Sequence, residues 1–428
     1  MAGHPNRLIF PNRSCDAPRV TLLSDHGFRR LFLADTASQA GSQVLMLALP
    51  LVAVSALDAS ELEVGVLAAF QTLAFVLIGL PAGAIVDRLP KRAVMVVADW
   101  GRALVLASVP VAWWLDVLSI HQLYAVALVL GVCTVFFDAA YQSYLPHLVG
   151  RERLVEGNSA LEGVRTVAQL GGPGAGGYLI QLLTAPFALA VTVAGFAWSA
   201  ACLATIRRPE PRQERRRAHL SREIGEGVRF VLGHPLLRRI AGCAATANLF
   251  VSMSQPAILL LLARELGLEA GTIGLLMAAG GLGGVTGALV NARLARRFGQ
   301  GPTMWLAVGL TAPLMFLLQG VAADWRLALF VVFEFFFGAG AVVFNVTQLS
   351  FRQAITPEPL LGRMNATIRF LVWGTMPLGG LFGGVLSEAI GVRNTLLAAA
   401  AGSCLPFLWL VTSPLRGMRE LPVTGGRR

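Results

Sequence analysis

Twelve apolar windows recur along this 428-residue chain and leave few options for its fold. Each is about 20 residues long, the length that crosses a bilayer as a helix. A backbone in lipid must satisfy its own polar groups, so windows of this kind read as membrane-spanning helices. They cover residues 31–57, 64–85, 93–115, 123–141, 159–183 and 186–206. After a long polar segment come 239–262, 272–292, 303–321, 327–349, 366–390 and 393–412. Charged residues make up only 14 % of the chain against 55 % hydrophobic, where soluble domains average ~25 % charged. That balance argues against a soluble enzyme, a coiled coil, a disulfide scaffold and a disordered chain. The expected fold is an all-α membrane protein with twelve transmembrane helices in two six-helix lobes. The lobes are assigned to residues 31–206 and 239–412, with an N-terminal tail (1–30), a basic linker (207–238) and a C-terminal tail (413–428).

The net charge of +11 reads as an orientation signal. Lys and Arg concentrate in the cytoplasmic loops of membrane proteins. With the N-terminus inside, 30 of the 35 basic residues fall at inner tails and loops. Three (Arg264, Arg326, Arg393) fall at outer loops and two (Arg102, Arg165) within spans, with Arg239 and Arg369 at inner span ends counted among the 30. An even number of spans puts both termini on one side, expected to be the cytoplasmic side of a bacterial inner membrane. The first thirty residues lack the order of a cleaved signal peptide and read as a cytoplasmic tail. The arginines of the linker are explained by topology, so nucleic acid is not an expected partner. Residues 221–232 resemble an interfacial helix with Ile224, Val228 and Val231 on one face, but a basic loop near anionic lipid is the plainer reading. The five cysteines form no CxxC or Cys/His cluster, so no metal site is expected.

The two halves match each other. An offset of 209 pairs Arg29-Arg30 with Arg238-Arg239, Gln39 with Asn248, Gln43 with Ser252, Gly65 with Gly274 and Arg88 with Arg297. An offset of 204 pairs Arg165, Pro173 and Gly176 with Arg369, Pro377 and Gly380. A repeat of this length marks a duplicated six-helix unit, with a substrate path between the copies.

The loop after the second span reads Gly83-Ala-Ile-Val-Asp87-Arg88-Leu-Pro90-Lys91-Arg92. It resembles the signature loop of the major facilitator superfamily, G-x-x-x-D-R-x-G-R-K. Pro90 departs where the family has Gly. The resemblance implies that this loop latches the two halves, with Asp87 as a gate residue. A small Gly83 suits close helix approach. The fifth span contains Gly172-Pro173-Gly174-Ala175-Gly176-Gly177, similar to the G-P-x-x-G-G element of the family's exporters, and the eleventh span carries Pro377 and Gly380 in register with it. Pro and Gly weaken a helix and suit a bending element. Gly172, Gly174 and Gly177 also satisfy G-x-G-x-x-G, but inside a membrane span that pattern has no βαβ context. No P-loop is present, so neither nucleotide nor cofactor is expected, and the proton motive force is the expected energy source. Two further stretches, Asp138 to Pro146 and Gln353 to Ala366, resemble the enterobactin-exporter and macrolide-efflux branch.

Charges inside spans are expensive and usually face the protein interior or a water-filled cavity. Asp35, Asp99, Arg102, Asp138 and Glu334 are therefore candidates for proton coupling. Arg102 lies deep in its span, and Glu334 stands among Phe333, Phe335, Phe336 and Phe337. Glu162 and Arg165, spaced i,i+3, are expected to neutralise each other. Polar groups near mid-membrane, namely Gln43, Asn248, Ser252, Gln255 and Asn345, are candidate substrate contacts, with Trp373 as an apolar wall. The expected activity is proton-coupled export of an amphipathic organic molecule, such as a siderophore, macrolide or drug, by a monomer working through alternating access. The alternatives are uptake or facilitated diffusion of a small solute, or a non-transporting membrane partner. A membrane-embedded enzyme is disfavoured because the six His residues are scattered and none lies in a span.

Overall fold

The computed structural model describes residues 22–86, 88–150, 153–208, 210, 220–357 and 360–419, which form helices and short connections with no strand among them. The first helix, α1 (His26–Leu51), begins where the Asp25 carboxylate accepts the N–H groups of Gly27 and Phe28, at 2.8 and 3.0 Å. The other five crossings of the first half are α2 (Glu61–Val86), α3 (Lys91–Trp114), α4 (Ile120–Val149), α5 (Leu154–Leu183) and α6 (Ala185–Ala204). The linker contributes α7 (Leu220–Gly233). The second half continues with α8 (Pro235–Leu260), α9 (Ala270–Phe298), α10 (Gln300–Thr311) and α11 (Leu327–Ile355). Its last two crossings are each broken, into α12 (Leu361–Trp373) with α13 (Met376–Ile390), and α14 (Val392–Ser403) with α15 (Pro406–Val411). Pro377 stands in the first turn of α13, where its missing N–H leaves no bond unmade. Pro173, expected to bend the fifth span, lies inside an α5 that is helical from end to end.

Eleven of these crossings are long and apolar enough to span a membrane by length and composition alone. The twelfth, α5, is diluted by glycine and glutamine and packs between α1 and α9. Large apolar side chains cover the outside, among them Leu182, Val97, Leu104, Leu289 and Leu310, each more than two-thirds exposed. A surface of that kind needs lipid against it. Trp114 and Trp325 project at helix ends on the face away from the termini, where an interfacial belt belongs.

Within the first half, α1 packs on α5 and α6, and α3 on α4 and α6. Within the second, α9 packs on α11, and α8 on α13 and α14. The linker helix forms over the residues where a basic loop was the plainer expectation. It docks on α12 and α8 rather than lying free on lipid. Val231 is fully buried, Glu226 pairs with Arg363, and a Cβ on Gly227 would stand 2.5 Å from Thr367 Oγ1. The side chain of Ile224 lies outside the described residues.

Candidate functional site

The two halves meet along two seams, α5 against α9 and α2 against α13. Both seams run from mid-membrane to the face away from the termini, and glycine makes both possible. A Cβ on Gly65 would lie 2.4 Å from the Cα of Gly384, and one on Gly274 would lie 2.1 Å from the carbonyl oxygen of Pro173. One on Gly177 would lie 2.3 Å from the carbonyl of Ala270, and one on Gly380 3.1 Å from the backbone N of Ala69. Of the glycines read from the sequence as bending elements, Gly177 and Gly380 are thus surfaces of contact between the halves. Gly172 and Gly176 serve a different purpose, packing α5 on Gln43 and Val44 of α1. Charges staple the same face. Arg264, at the end of the α8 crossing, reaches Asp58 at 3.1 Å, Glu61 at 3.2 Å and the carbonyl of Ala59 at 2.7 Å across the divide. Glu388 accepts the N–H of Leu62 at 3.1 Å, and Gln181 donates to Glu269.

Toward the termini the halves part. Below the closed face lies a mostly apolar cavity of about 270 Å³, bordered by Met46, Leu67, Gln71, Ser252, Gln255 and Met277. Nearer the termini lies a larger, polar cavity of about 670 Å³. Its first-half wall carries Asp35, Gln39, Asp138, Glu162 and Arg165. Its second-half wall carries Asn248, Asn345, Gln348, Arg352, Asn365 and Arg369. A third space of about 460 Å³ opens between α2, α4 and α12 beside Gly79, Gly83 and Gly362. Asp138, Arg369 and Trp373 border both of the last two spaces. Arg369 stands 3.8 Å from Asp138 across the divide and lies over the Trp373 ring at 4.2 Å, and that ring meets Phe75 of α2 edge-on at 4.5 Å.

The sequence candidates therefore separate by place. Asp35, Asp138, Asn248, Asn345 and Trp373 line the polar cavity, and Ser252 and Gln255 line the apolar one. Gln43, proposed as a substrate contact, lines neither and is pressed against Gly172. Glu334 also lines neither; its carboxylate lies beside Gly280, between α11 and α9 of the same half. Asp99 and Arg102 form a sealed pair inside the first half, 0 % and 4 % exposed. Asp99 also accepts from the Ser199 hydroxyl at 2.5 Å, and the Arg102 guanidinium is sandwiched between the rings of Phe137 and Phe196, at 4.3 and 4.6 Å. Arg102 thus fastens α3 to α4 and α6 rather than facing either cavity. Glu162 and Arg165, expected to pair, both line the cavity and form no ion pair with each other.

The signature loop is only partly in view, because Asp87 lies outside the described residues. A Cβ on Gly83 would meet nothing within 4 Å, so the close approach expected there is not made with the termini side open. Arg88 is exposed. Lys91 is buried, its ammonium donating to the carbonyls of Val86 at 2.7 Å and Leu89 at 3.1 Å. Arg92 donates to the carbonyl of Ile206 at the end of the α6 crossing. Sequence reasoning missed Glu210, whose carboxylate caps α3 by accepting the N–H groups of Lys91 and Arg92 at 2.6 and 2.8 Å. It also missed Gln39, Gln348, Arg352 and Asn365 in the cavity wall. The repeat pairing of Gln39 with Asn248 was the available signal for the first of these.

Comparison with known proteins agrees with this geometry. The chain is 30 % identical over 408 residues to the multidrug efflux pump Tap of Mycolicibacterium fortuitum, covering 91 % of this chain and 96 % of that protein. It is 29 % identical over 430 residues to the enterobactin exporter EntS of Salmonella typhi, covering 96 % and 98 %. Among solved structures, a bacterial homologue of the iron transporter ferroportin in its inward-facing state superposes with a TM-score of 0.76 at 15 % identity, over 92 % of this chain and 99 % of that one. A single-site mutant of the nucleoside transporter NupG superposes with a TM-score of 0.74 at 12 % identity, over 90 % and 99 %. Residues 18–424 match the transmembrane secretion effector family, and with two six-helix halves closed over a central cavity the chain belongs to that family of major facilitator transporters, membrane carriers of small molecules and not enzymes.

Proposed function

We propose that this protein exports an amphipathic organic molecule, of the siderophore, macrolide or drug kind, across a bacterial inner membrane in exchange for protons. In this reading the termini face the cytoplasm and a single chain suffices, since both walls of the path come from one chain. The observation that carries the proposal is the composition of the polar cavity. Three carboxylates, Asp35, Asp138 and Glu162, stand on its first-half wall, and Asp35 is only 4 % exposed. A carboxylate in a low-dielectric wall is costly when charged and unpaired, so proton uptake and substrate binding compete for it. The apolar cavity beyond it would take the hydrophobic part of the same molecule. With the termini side open, substrate enters from the cytoplasm, and rocking of the halves about the two seams carries it outward. The export relatives Tap and EntS support this direction.

The test is flux of a fluorescent amphiphile, rhodamine 6G or carboxyfluorescein, in proteoliposomes with an imposed pH gradient. Flux driven by the gradient is expected in the native chain, and Asp35→Asn or Asp138→Asn should uncouple it while leaving dye binding measurable. If both variants keep full dependence on the gradient, proton coupling through these carboxylates is wrong. Flux independent of the gradient in the native chain points instead to facilitated diffusion.

A further inference from the structure

We infer that the second-half wall of the polar cavity holds an anion-recognition subsite centred on Arg352, and that the transported molecule bears an anionic group, such as a carboxylate, sulfonate, phosphate or catecholate. This rests on the reading of the cavity as the substrate path. The first observation is Arg352 itself. It lines the cavity, is only 9 % exposed, makes no ion pair among the described residues, and keeps a buried Nε without a hydrogen bond. A guanidinium is always charged, and burying it without a partner is costly, so a site that retains one is built for a partner that arrives. The second observation is Gln348, one helical turn away on α11. It is 7 % exposed and lines the same wall; its Nε2 donates to Asn345 Oδ1 at 3.0 Å, while its Oε1 is buried without a partner. Together they leave the fixed, planar donors of Arg352 for an anionic group and the Gln348 Oε1 as an acceptor for a donor, such as a hydroxyl, on the same molecule.

The third observation is the division of charge. Every carboxylate lining the cavity comes from the first half, while the second-half wall carries Arg352 and Arg369 and no acid. Arg369 already faces Asp138 at 3.8 Å, so Arg352 is the cation of that wall left for a ligand. An anionic group seated there would place the rest of the molecule toward the apolar cavity, and the proton-carrying carboxylates would stand opposite it.

The experiment uses the full chain in nanodiscs of phosphatidylcholine and two dyes that share a ring system and differ in charge, anionic carboxyfluorescein and cationic rhodamine 6G. Fluorescence anisotropy should show tighter binding of carboxyfluorescein. Arg352→Gln should weaken that binding by about tenfold or more, the value of one charge-assisted hydrogen bond. Arg352→Lys should restore part of it, and rhodamine 6G should bind no worse. If Arg352→Gln does not purify as a folded protein, competition on the native chain decides: benzenesulfonate must displace carboxyfluorescein, and benzyltrimethylammonium must not. Preference for the cationic dye, absence of anion binding, or unchanged carboxyfluorescein binding in Arg352→Gln overturns the inference. Displacement of the dye by phosphatidylglycerol added to the nanodiscs assigns the subsite to a lipid headgroup and overturns the substrate class. Anion binding as expected with no gradient-driven flux leaves the subsite standing and defeats the proton-exchange proposal, while gradient-driven flux without anion preference does the reverse.

Discussion

Replacing Gly274 by alanine should drive the protein out of the conformation described here. The added Cβ would lie 2.1 Å from the Pro173 carbonyl oxygen, 2.9 Å from its carbonyl carbon and 3.1 Å from the Cα of Gly177. All three obstacles are backbone of α5, so no side chain can swing aside. The helices must part by about 1 Å along a seam that is otherwise close-packed. Overpacking of this kind costs about 1–3 kcal/mol. The cost falls on the state in which the α5–α9 seam is shut and not on one in which it is open. The ratio of the two states should therefore move by roughly five- to 150-fold toward opening away from the termini. Alanine is also the better helix former, so helix stability works against any general unfolding. Spin labels at Val117 and Trp325, exposed on that face in opposite halves, would report the change by pulsed electron resonance in a background lacking the native cysteines. The population at the longer distance should rise in Gly274→Ala. Gly174→Ala is the control, because a Cβ there meets nothing within 4 Å although Gly174 lies on α5 next to Pro173. An unchanged distance distribution in folded Gly274→Ala, or an equal shift in Gly174→Ala, would refute the assignment of these glycines to a state-specific seam.

The opposite shift is expected at the termini side. Gly362 borders the open space between α2, α4 and α12 and has nothing within 4 Å of a new Cβ, so Gly362→Val should leave the present state intact and hinder closure there, measured as slower net flux with the far-side distance held short. Arg264→Ala removes the pairs to Asp58 and Glu61 and should open the far face in the same sense as Gly274→Ala, but by less than about 1 kcal/mol because the partners are partly solvated, and high salt should mimic it in the native chain. Arg102→Met leaves Asp99 buried beside Ser199 alone and should cost about 3–5 kcal/mol, seen as a large fall in melting temperature in detergent. Asp99→Asn leaves the permanently charged Arg102 with only the Phe137 and Phe196 rings and should fall by a comparable amount.

The spans, the duplication and the gross architecture were legible in the sequence because lipid imposes a length and a composition on any helix that crosses it. What failed did so for equally physical reasons. Consecutive residues on a helix point in different directions, so the phenylalanines around Glu334 in sequence did not say which helix it faces: its carboxylate lies beside Gly280 of α9, away from both cavities. Arg102 was read as functional from depth alone, and depth does not separate a charge facing water from one neutralised by its own i−3 neighbour and two rings. Arg352 was hidden by the topology rule that worked best. The apolar window ends at residue 349, while α11 continues to Ile355, so an arginine of the cavity wall was counted among the inner-loop charges that orient the chain.

The glycines show a different limit. Gly65 and Gly274 are repeat mates and both sit in the shut seams, so the duplication carried real information about contact between the halves. Gly83, the small residue of the signature loop, has open space around it. An alternating carrier needs two sets of close approaches, one for each closed face, and only one set can be made at a time. Small residues selected for either set are written side by side in the chain without a mark of which state they serve. A glycine in a helix interior costs about 1 kcal/mol relative to alanine, so one that touches nothing needs a reason to be there. Gly83 and Gly362 stand on opposite walls of the space that must close when the far face opens, and Gly362→Val is the test of whether that closure brings them into contact.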